Sequence, residues 1–393
     1  MEKQPFSKRI PFILSQLVLI LVIAVLAGYT GYRIAVRPFK LLAEHYDKFR
    51  TVGSLLKNRD ISPGLSDLQR TEFYKIYSQE EKIIPRVDQI IWMVPNMLTP
   101  FVVVGPTPGT HDNAQINRMQ FRSGEELVIP KPSGEYRIFI TGGSTAFGSG
   151  APDQEHTIGA LLEKNLNESR DTETRVVFKV YTLANPTWAS THERIIIENR
   201  LSELEPDLVI SLSGVNDVHW GGGGRDIFWF RTYIDDYFSL VIDHARELAG
   251  KTKDPDIIPI SSRPVHPVIV AQRMLKNVRL STYALSLKNI PYVFFLQPTL
   301  AVCKKALTPR EKGFFQNEAY FTLCFDNIRR ELAQIREANF YFADLSACLD
   351  GIGKPENPED IFLDSFHFGD KGNQIVATEM GRYIRRILEG KEI

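Results

Sequence analysis

From residue 134 onward the chain alternates between short, nearly all-apolar runs rich in β-branched and aromatic residues and segments with apolar residues at helical spacing. Residues 136–141, 176–183, 207–213, 291–296 and 340–343 read as strands. Residues 157–167, 191–204, 309–338 and 370–388 read as helices. Strands that are apolar on both faces must be covered on both, so this alternation predicts a parallel sheet between two helical layers. Ligands in such sheets bind beyond the carboxyl ends of the strands. The connection 219–289 is too long for one helix and reads as a rim insertion.

Three polar residues follow directly after the first three strands: Ser144 in Thr141-Gly-Gly-Ser144, Thr187 in Asn185-Pro-Thr187-Trp, and Asn216 in Gly214-Val-Asn216-Asp217. Far downstream, Asp364-Ser-Phe-His367 places an acid and an imidazole three residues apart, before the last helix. Alone, each motif has a plain reading: a tight turn after a strand, turn chemistry, or a helix cap with a surface histidine. Together, in order and at strand ends, they are the parts of a nucleophilic site. A serine hydroxyl needs a base to take its proton, and a carboxylate sets that base's tautomer. The expected roles are Ser144 as nucleophile, His367 as base and Asp364 as its orienting acid. Oxyanion donors are expected from the Ser144 backbone, the Thr187 backbone and the Asn216 amide. Asp217 reads as a brace for its turn. His156, His192, His219 and His244 have no partner at suitable spacing and read as surface or structural residues.

The blocks Thr141-Gly-Gly-Ser144-Thr-Ala-Phe-Gly148, Gly214-Val-Asn216-Asp217 and Asp364-Ser-Phe-His367 resemble those of the SGNH hydrolases, the GDSL-like esterase superfamily. Asn117-Arg-Met-Gln-Phe-Arg, ahead of them, resembles the lead-in of secreted members. The resemblance covers about residue 117 to the C-terminus. It implies a flavodoxin-like three-layer α/β/α sandwich with a parallel sheet, and ester hydrolysis through an acyl-enzyme without metal or cofactor. Two positions depart from the pattern. Gly143 stands where members often carry Asp before the nucleophile, and Thr187 stands where the second block normally has glycine. A Cβ at Thr187 restricts that loop and narrows the acyl side.

From Ile10 to Tyr32 there is no charge, and Lys8-Arg9 and Arg33 mark the ends. At ~1.5 Å per residue this length spans roughly one hydrocarbon core. An uncleaved transmembrane anchor is expected, with a cleaved signal or a core helix as alternatives. Lys3, Lys8 and Arg9 nearly balance Arg33, Arg37 and Lys40, so the positive-inside rule gives almost a tie. A short N-terminal tail usually stays in the cytoplasm, which puts the rest of the chain outside. The expected organisation is a tail (1–9), an anchor (10–32), a connector with a β-like lead-in (33–132), and the hydrolase domain (133–393).

Lys+Arg and Asp+Glu each number 47, so no global field favours nucleic acid. Eight histidines are scattered without zinc-type spacing. Cys303, Cys324 and Cys348 fit either one bridge and a thiol or three buried thiols. Asn167-Glu-Ser169 matches a glycosylation sequon of the kind expected by chance. Gly221–Gly224 followed by Asp226-Ile-Phe-Trp-Phe230 reads as a hinge with an aromatic lid, or as an insertion with its own small core. The substrate expected is an O-acylated, plausibly O-acetylated, small molecule or glycan. An O-acyltransferase with the same site, and a non-catalytic tethered assembly partner, are the alternatives. The oligomeric state is not readable from the sequence.

Overall fold

The computed structural model describes residues 10–37, 40, 94, 96–111, 113–168, 176–224, 250, 263–314 and 317–390. Helix α1 (Ile10–Ala35) comes first, then a hairpin of β1 (Asn96–Thr99) and β2 (Val103–Pro106), and a short pair β3 (Gly109–Thr110) and β4 (Gln115–Ile116). The alternation then runs β5 (Glu135–Gly142), α2 (Ser144–Phe147), α3 (Ile158–Glu168), β6 (Val177–Thr182), α4 (Ser190–Asn199), β7 (Leu208–Ser213) and α5 (Val215–Gly222). It continues with α6 (Pro267–Ser286), β8 (Tyr292–Leu296), α7 (Pro309–Gly313), α8 (Glu318–Leu332), β9 (Phe340–Asp344) and α9 (Asp370–Leu388).

The main sheet has the order β6-β5-β7-β8-β9, and every pairing in it is parallel. The chain starts in the interior at β5, goes out to one side as β6, and returns past β5 as β7. The switch crevice therefore lies between β5 and β7, where open α/β sheets bind ligands. Alternation along the strands feeds the two cores. Ile138, Ile140, Ile210 and Phe295 pack with α3 and α9. Phe139, Val209, Tyr292 and Phe294 pack with α4, α6 and α8. This is the three-layer α/β/α sandwich that the sequence pattern predicts.

Two sequence expectations need correction. The helical pattern over 309–338 is two helices, α7 and α8, because Asn317 adopts a left-handed φ of 54° just before α8. The rim insertion assigned to 219–289 is narrower. Within it, α6 is the crossover helix between β7 and β8 and buries Val270, Met274, Val278 and Leu285 in the sandwich. Gly221 and Gly222 are the last residues of α5. The Asp226–Phe230 aromatic run and His244 lie outside the described residues, as does most of the connector.

The lead-in is built into the sandwich. Val102, Val104 and Phe121 join the same core as Phe139 and Trp188, and Arg122 N–H donates to Thr182 O at 2.8 Å along the edge strand β6. All three cysteines are thiols, and burial pushes each up to about 12. The Asn167 amide is engaged, donating to Glu163 O and Phe178 O and accepting from Phe178 N–H, so the sequon side chain serves packing. Helix α1 has 26 residues, roughly 39 Å at ~1.5 Å each. Its segment Ser15–Ala35 has mean hydropathy 2.0 and is not buried against the protein. It is long and apolar enough to cross a membrane.

Candidate active site

β5 ends at Gly142, whose φ of 153° and closeness to Leu212 O leave no room for a side chain: a Cβ there would lie 2.3 Å from that oxygen. The chain turns sharply and Ser144 opens α2 with its backbone N–H in the first helical turn, outside the helix's own hydrogen bonds. Gly143 gives space to its neighbour across the crevice, because a Cβ at 143 would meet Asn216 Nδ2 at 2.3 Å. The departure at 143 thus allows the Asn216 amide to lie directly against the turn that leads into Ser144.

His367 Nε2 lies 2.7 Å from Ser144 Oγ, and His367 Nδ1 lies 2.7 Å from Asp364 Oδ2. The Asp364 Oδ1 atom accepts the backbone N–H groups of Phe366 and His367 at 2.8 and 2.9 Å. Burial alone would push the Asp364 carboxyl up. The adjacent imidazole and the two N–H groups outweigh it and hold the carboxyl below its ordinary range. An ionised acid on Nδ1 fixes the tautomer whose Nε2 can accept a proton from the serine hydroxyl.

Asn216 projects from the first turn of α5, and its Nδ2 donates to Trp188 O at 2.7 Å. That bond ties the amide to the second-strand loop, where Thr187 has a left-handed φ of 78°. The loop is held from several sides. Trp188 Nε1 donates to Val104 O at 3.0 Å. Ser190 donates to Asp217 through both its N–H (2.9 Å) and its hydroxyl (2.6 Å). Asp217 is therefore a brace, as its position suggests, and desolvation pushes its carboxyl up to about 6 despite the Ser190 bonds. The structure brings Ser144, Asp364 and His367 into one hydrogen-bonded line and sets Asn216 against the turn before Ser144, while Thr187 is placed only as the residue before Trp188, whose carbonyl meets Asn216.

Other contributors carry no motif signal. Gln297, directly after β8, donates to Thr145 Oγ1 at 3.0 Å and links the Ser144 turn to the fourth strand. Its only sequence cue is that it follows a strand, as Ser144 does. Arg122, from the lead-in, donates to Phe147 O at 3.0 Å and Gly148 O at 2.9 Å, the carbonyls that close α2, and to Asn113 O at 2.7 Å. Burial lowers this guanidinium to about 9. Phe366, next to His367, has its ring 5.2 Å from His219 and 5.8 Å from Phe321.

The remaining histidines correct one expectation. His156 does have a partner at the same spacing: its Nδ1 lies 2.6 Å from Asp153 Oδ1. This pair closes the turn before α3, with His156 N–H also donating to Asp153. His192 is buried, accepts the Ala189 N–H and stacks on Trp188. Desolvation lowers it to about 4. Among the described residues, no group of histidine, cysteine and acidic side chains is arranged to hold a metal.

Residues 138–380 match the family model described as GDSL-like Lipase/Acylhydrolase. Similar solved structures include the acetyl xylan esterase AlAXEase, at 16% identity over 63% of this chain and 99% of that one, with a TM-score of 0.38. TesA is similar at 14% identity over 62% and 97%, with a TM-score of 0.36. The psychrotrophic esterase EstA from Pseudoalteromonas sp. is similar at 13% identity over 65% and 99%, with a TM-score of 0.37. No curated protein matches the sequence. With the family model spanning more than half of its length, the chain belongs to the GDSL-like lipase/acylhydrolase family, the serine ester hydrolases of the SGNH fold.

Proposed function

We propose that the chain is a membrane-anchored esterase that removes small O-acyl groups through an acyl-enzyme, with Ser144, His367 and Asp364 as the reacting set. The observation that carries this reading is the unbroken line from Asp364 Oδ2 through the imidazole to Ser144 Oγ, with both contacts at 2.7 Å. In the reaction, Ser144 Oγ attacks the acyl carbon as its proton passes to His367 Nε2. Asp364 stabilises the imidazolium that forms. The tetrahedral oxyanion is met by the Ser144 N–H, the second proton of the Asn216 amide and the Thr187 N–H. His367 then returns the proton to the departing alcohol, and water reverses the sequence to release the acid.

The Cβ at Thr187, where family members normally have glycine, argues for a short acyl group such as acetyl. Helix α1 would tether the site at a membrane, with the hydrolase domain on the extracytoplasmic side. O-acetylated carbohydrate of the cell envelope is the substrate class that fits both features. The test is treatment of the protein with a serine-reactive phosphonate, beside Ser144→Ala, followed by hydrolysis assays on acetylated sugars with and without acceptor alcohols. Labelling of the wild type alone, with acetate released, is expected. Absence of labelling and of hydrolysis would sink the reading. Acyl transfer to the acceptor in place of acetate release would redirect it to a transferase.

A further inference from the structure

The segment leading into Asp364 is contacted by a buried ion pair that none of the family blocks contains. Lys305 Nζ and Glu311 Oε2 are 2.5 Å apart, and both side chains are fully buried. Glu311 is the third residue of α7 in a capping box with Thr308: Thr308 Oγ1 accepts Glu311 N–H and Glu311 Oε2 accepts Thr308 N–H. Its other oxygen, Oε1, reaches out of the helix and accepts two consecutive backbone N–H groups, Ile361 at 3.0 Å and Phe362 at 3.1 Å. Lys305 Nζ donates to Glu359 O at 2.7 Å. Arg310, next to Glu311, donates to Leu363 O at 3.1 Å and also to Phe362 O. The backbone from 359 to 363 is thus gripped from the 305–311 segment just before Asp364.

A capping box and a charge balance would be satisfied without Oε1 meeting those two N–H groups. That oxygen acts on the loop that carries Asp364 and His367. Fully formed, such a buried group is rigid, because every alternative position strands a charge or an N–H. We propose that Glu311 is a positioning residue for the Asp364–His367 pair, acting through the Ile361 and Phe362 backbone. The proposal rests on the reading of Ser144, His367 and Asp364 as the reacting set.

The test compares two double variants of the full chain in detergent, Lys305→Met/Glu311→Gln and Lys305→Met/Glu311→Met. Both lack the ion pair and carry the same net charge, but only the first keeps an oxygen facing Ile361 and Phe362. Two readouts are taken on folded protein: turnover of p-nitrophenyl acetate, and the low-field proton resonance of the hydrogen-bonded His367 Nδ1–H, assigned by its loss in His367→Gln. The Gln variant is expected to keep the resonance and stay within about threefold of wild-type kcat. The Met variant is expected to lose the resonance and about 10²-fold in kcat with KM nearly unchanged, the scale of an ångström-sized misplacement. Equal behaviour of the two in an active protein overturns the positioning role and leaves the esterase reading intact. A resonance that follows the expected pattern in a protein without turnover does the reverse. Should the Met variant not fold, Lys305→Ala/Glu311→Ala, which also removes the acceptor of the Ile361 and Phe362 N–H groups but leaves room for water, gives the same two readouts, and unchanged values there overturn the proposal.

Discussion

The chain contains two Asp-x-x-His turns, and they differ in what surrounds them. In both, the acid and Nδ1 are in hydrogen-bond contact, at 2.6 Å for Asp153–His156 and 2.7 Å for Asp364–His367. Both also precede a long helix, α3 and α9. Local sequence therefore suffices to build an acid–imidazole pair. It does not make the pair useful. His367 presents its second nitrogen to Ser144 because the Asp364 loop is fixed from outside by Glu311, Arg310 and the Thr299 hydroxyl, which donates to Ser365 O at 3.0 Å. At His156 the contact is a cap for the α3 turn, and the residue's backbone carbonyl is held by Asn373. Tertiary position, not spacing, separates an acid–base pair from a turn.

Removing the imidazole should have the largest effect on this contrast. His367→Ala should lower kcat by about 10⁴-fold or more, since removing one member of a cooperating set costs nearly as much as removing all of them. Asp364→Asn should follow at about 10³–10⁴-fold, because an amide on Nδ1 favours the wrong tautomer. Steady-state kinetics on p-nitrophenyl acetate reads both. Gly143→Ala puts a methyl where Asn216 Nδ2 now lies. It should cost about 10²-fold in kcat through displacement of that donor, with crystallography showing whether the amide has moved.

Glu193 sharpens the comparison as a buried acid with no imidazole. Desolvation pushes it up to about 8, against the opposing hydrogen bonds from Ser213 and Ser211, and the nearby Asp217 adds to the rise. The folded state holds a proton that the unfolded state has released, so stability should fall as pH rises from the ordinary carboxylate range toward 8. Glu193→Gln should flatten that part of a thermal-melting profile. A slope that persists unchanged would assign it to another group. The smallest effect belongs to Asp153→Asn, which should leave turnover within about twofold of wild type. A loss comparable to Asp364→Asn would break the distinction between the two turns.

Much of this was legible in the chain because the pattern and the packing obey the same period. The strands β5 to β9 are near-continuous apolar runs since both faces are covered, and α9 was delimited by its periodicity alone. Ser144, Asn216, Asp364 and His367 announced themselves by type and by their places at strand ends or before the last helix. The break between α7 and α8 was hidden, because Pro309 starts a helix and Asn317 at positive φ looks like any other polar residue. Thr308-Pro-Arg-Glu311 is a readable capping box, yet nothing local says that Glu311 also reaches Ile361, fifty residues on. The same holds for Gln297 and Arg122, whose partners are backbone carbonyls or a hydroxyl remote in sequence. Such contacts leave no periodic trace.

Arg122 has a practical consequence for anyone wishing to isolate the catalytic unit. The family match begins at residue 138, but the guanidinium that holds the end of α2, the helix that Ser144 opens, and the carbonyl that receives the Trp188 indole lie upstream, at 122 and 104. A fragment trimmed to the homologous region would lose both struts, and an inactive product would say nothing about the chemistry. The smallest unit worth expressing starts ahead of the first hairpin, before Asn96.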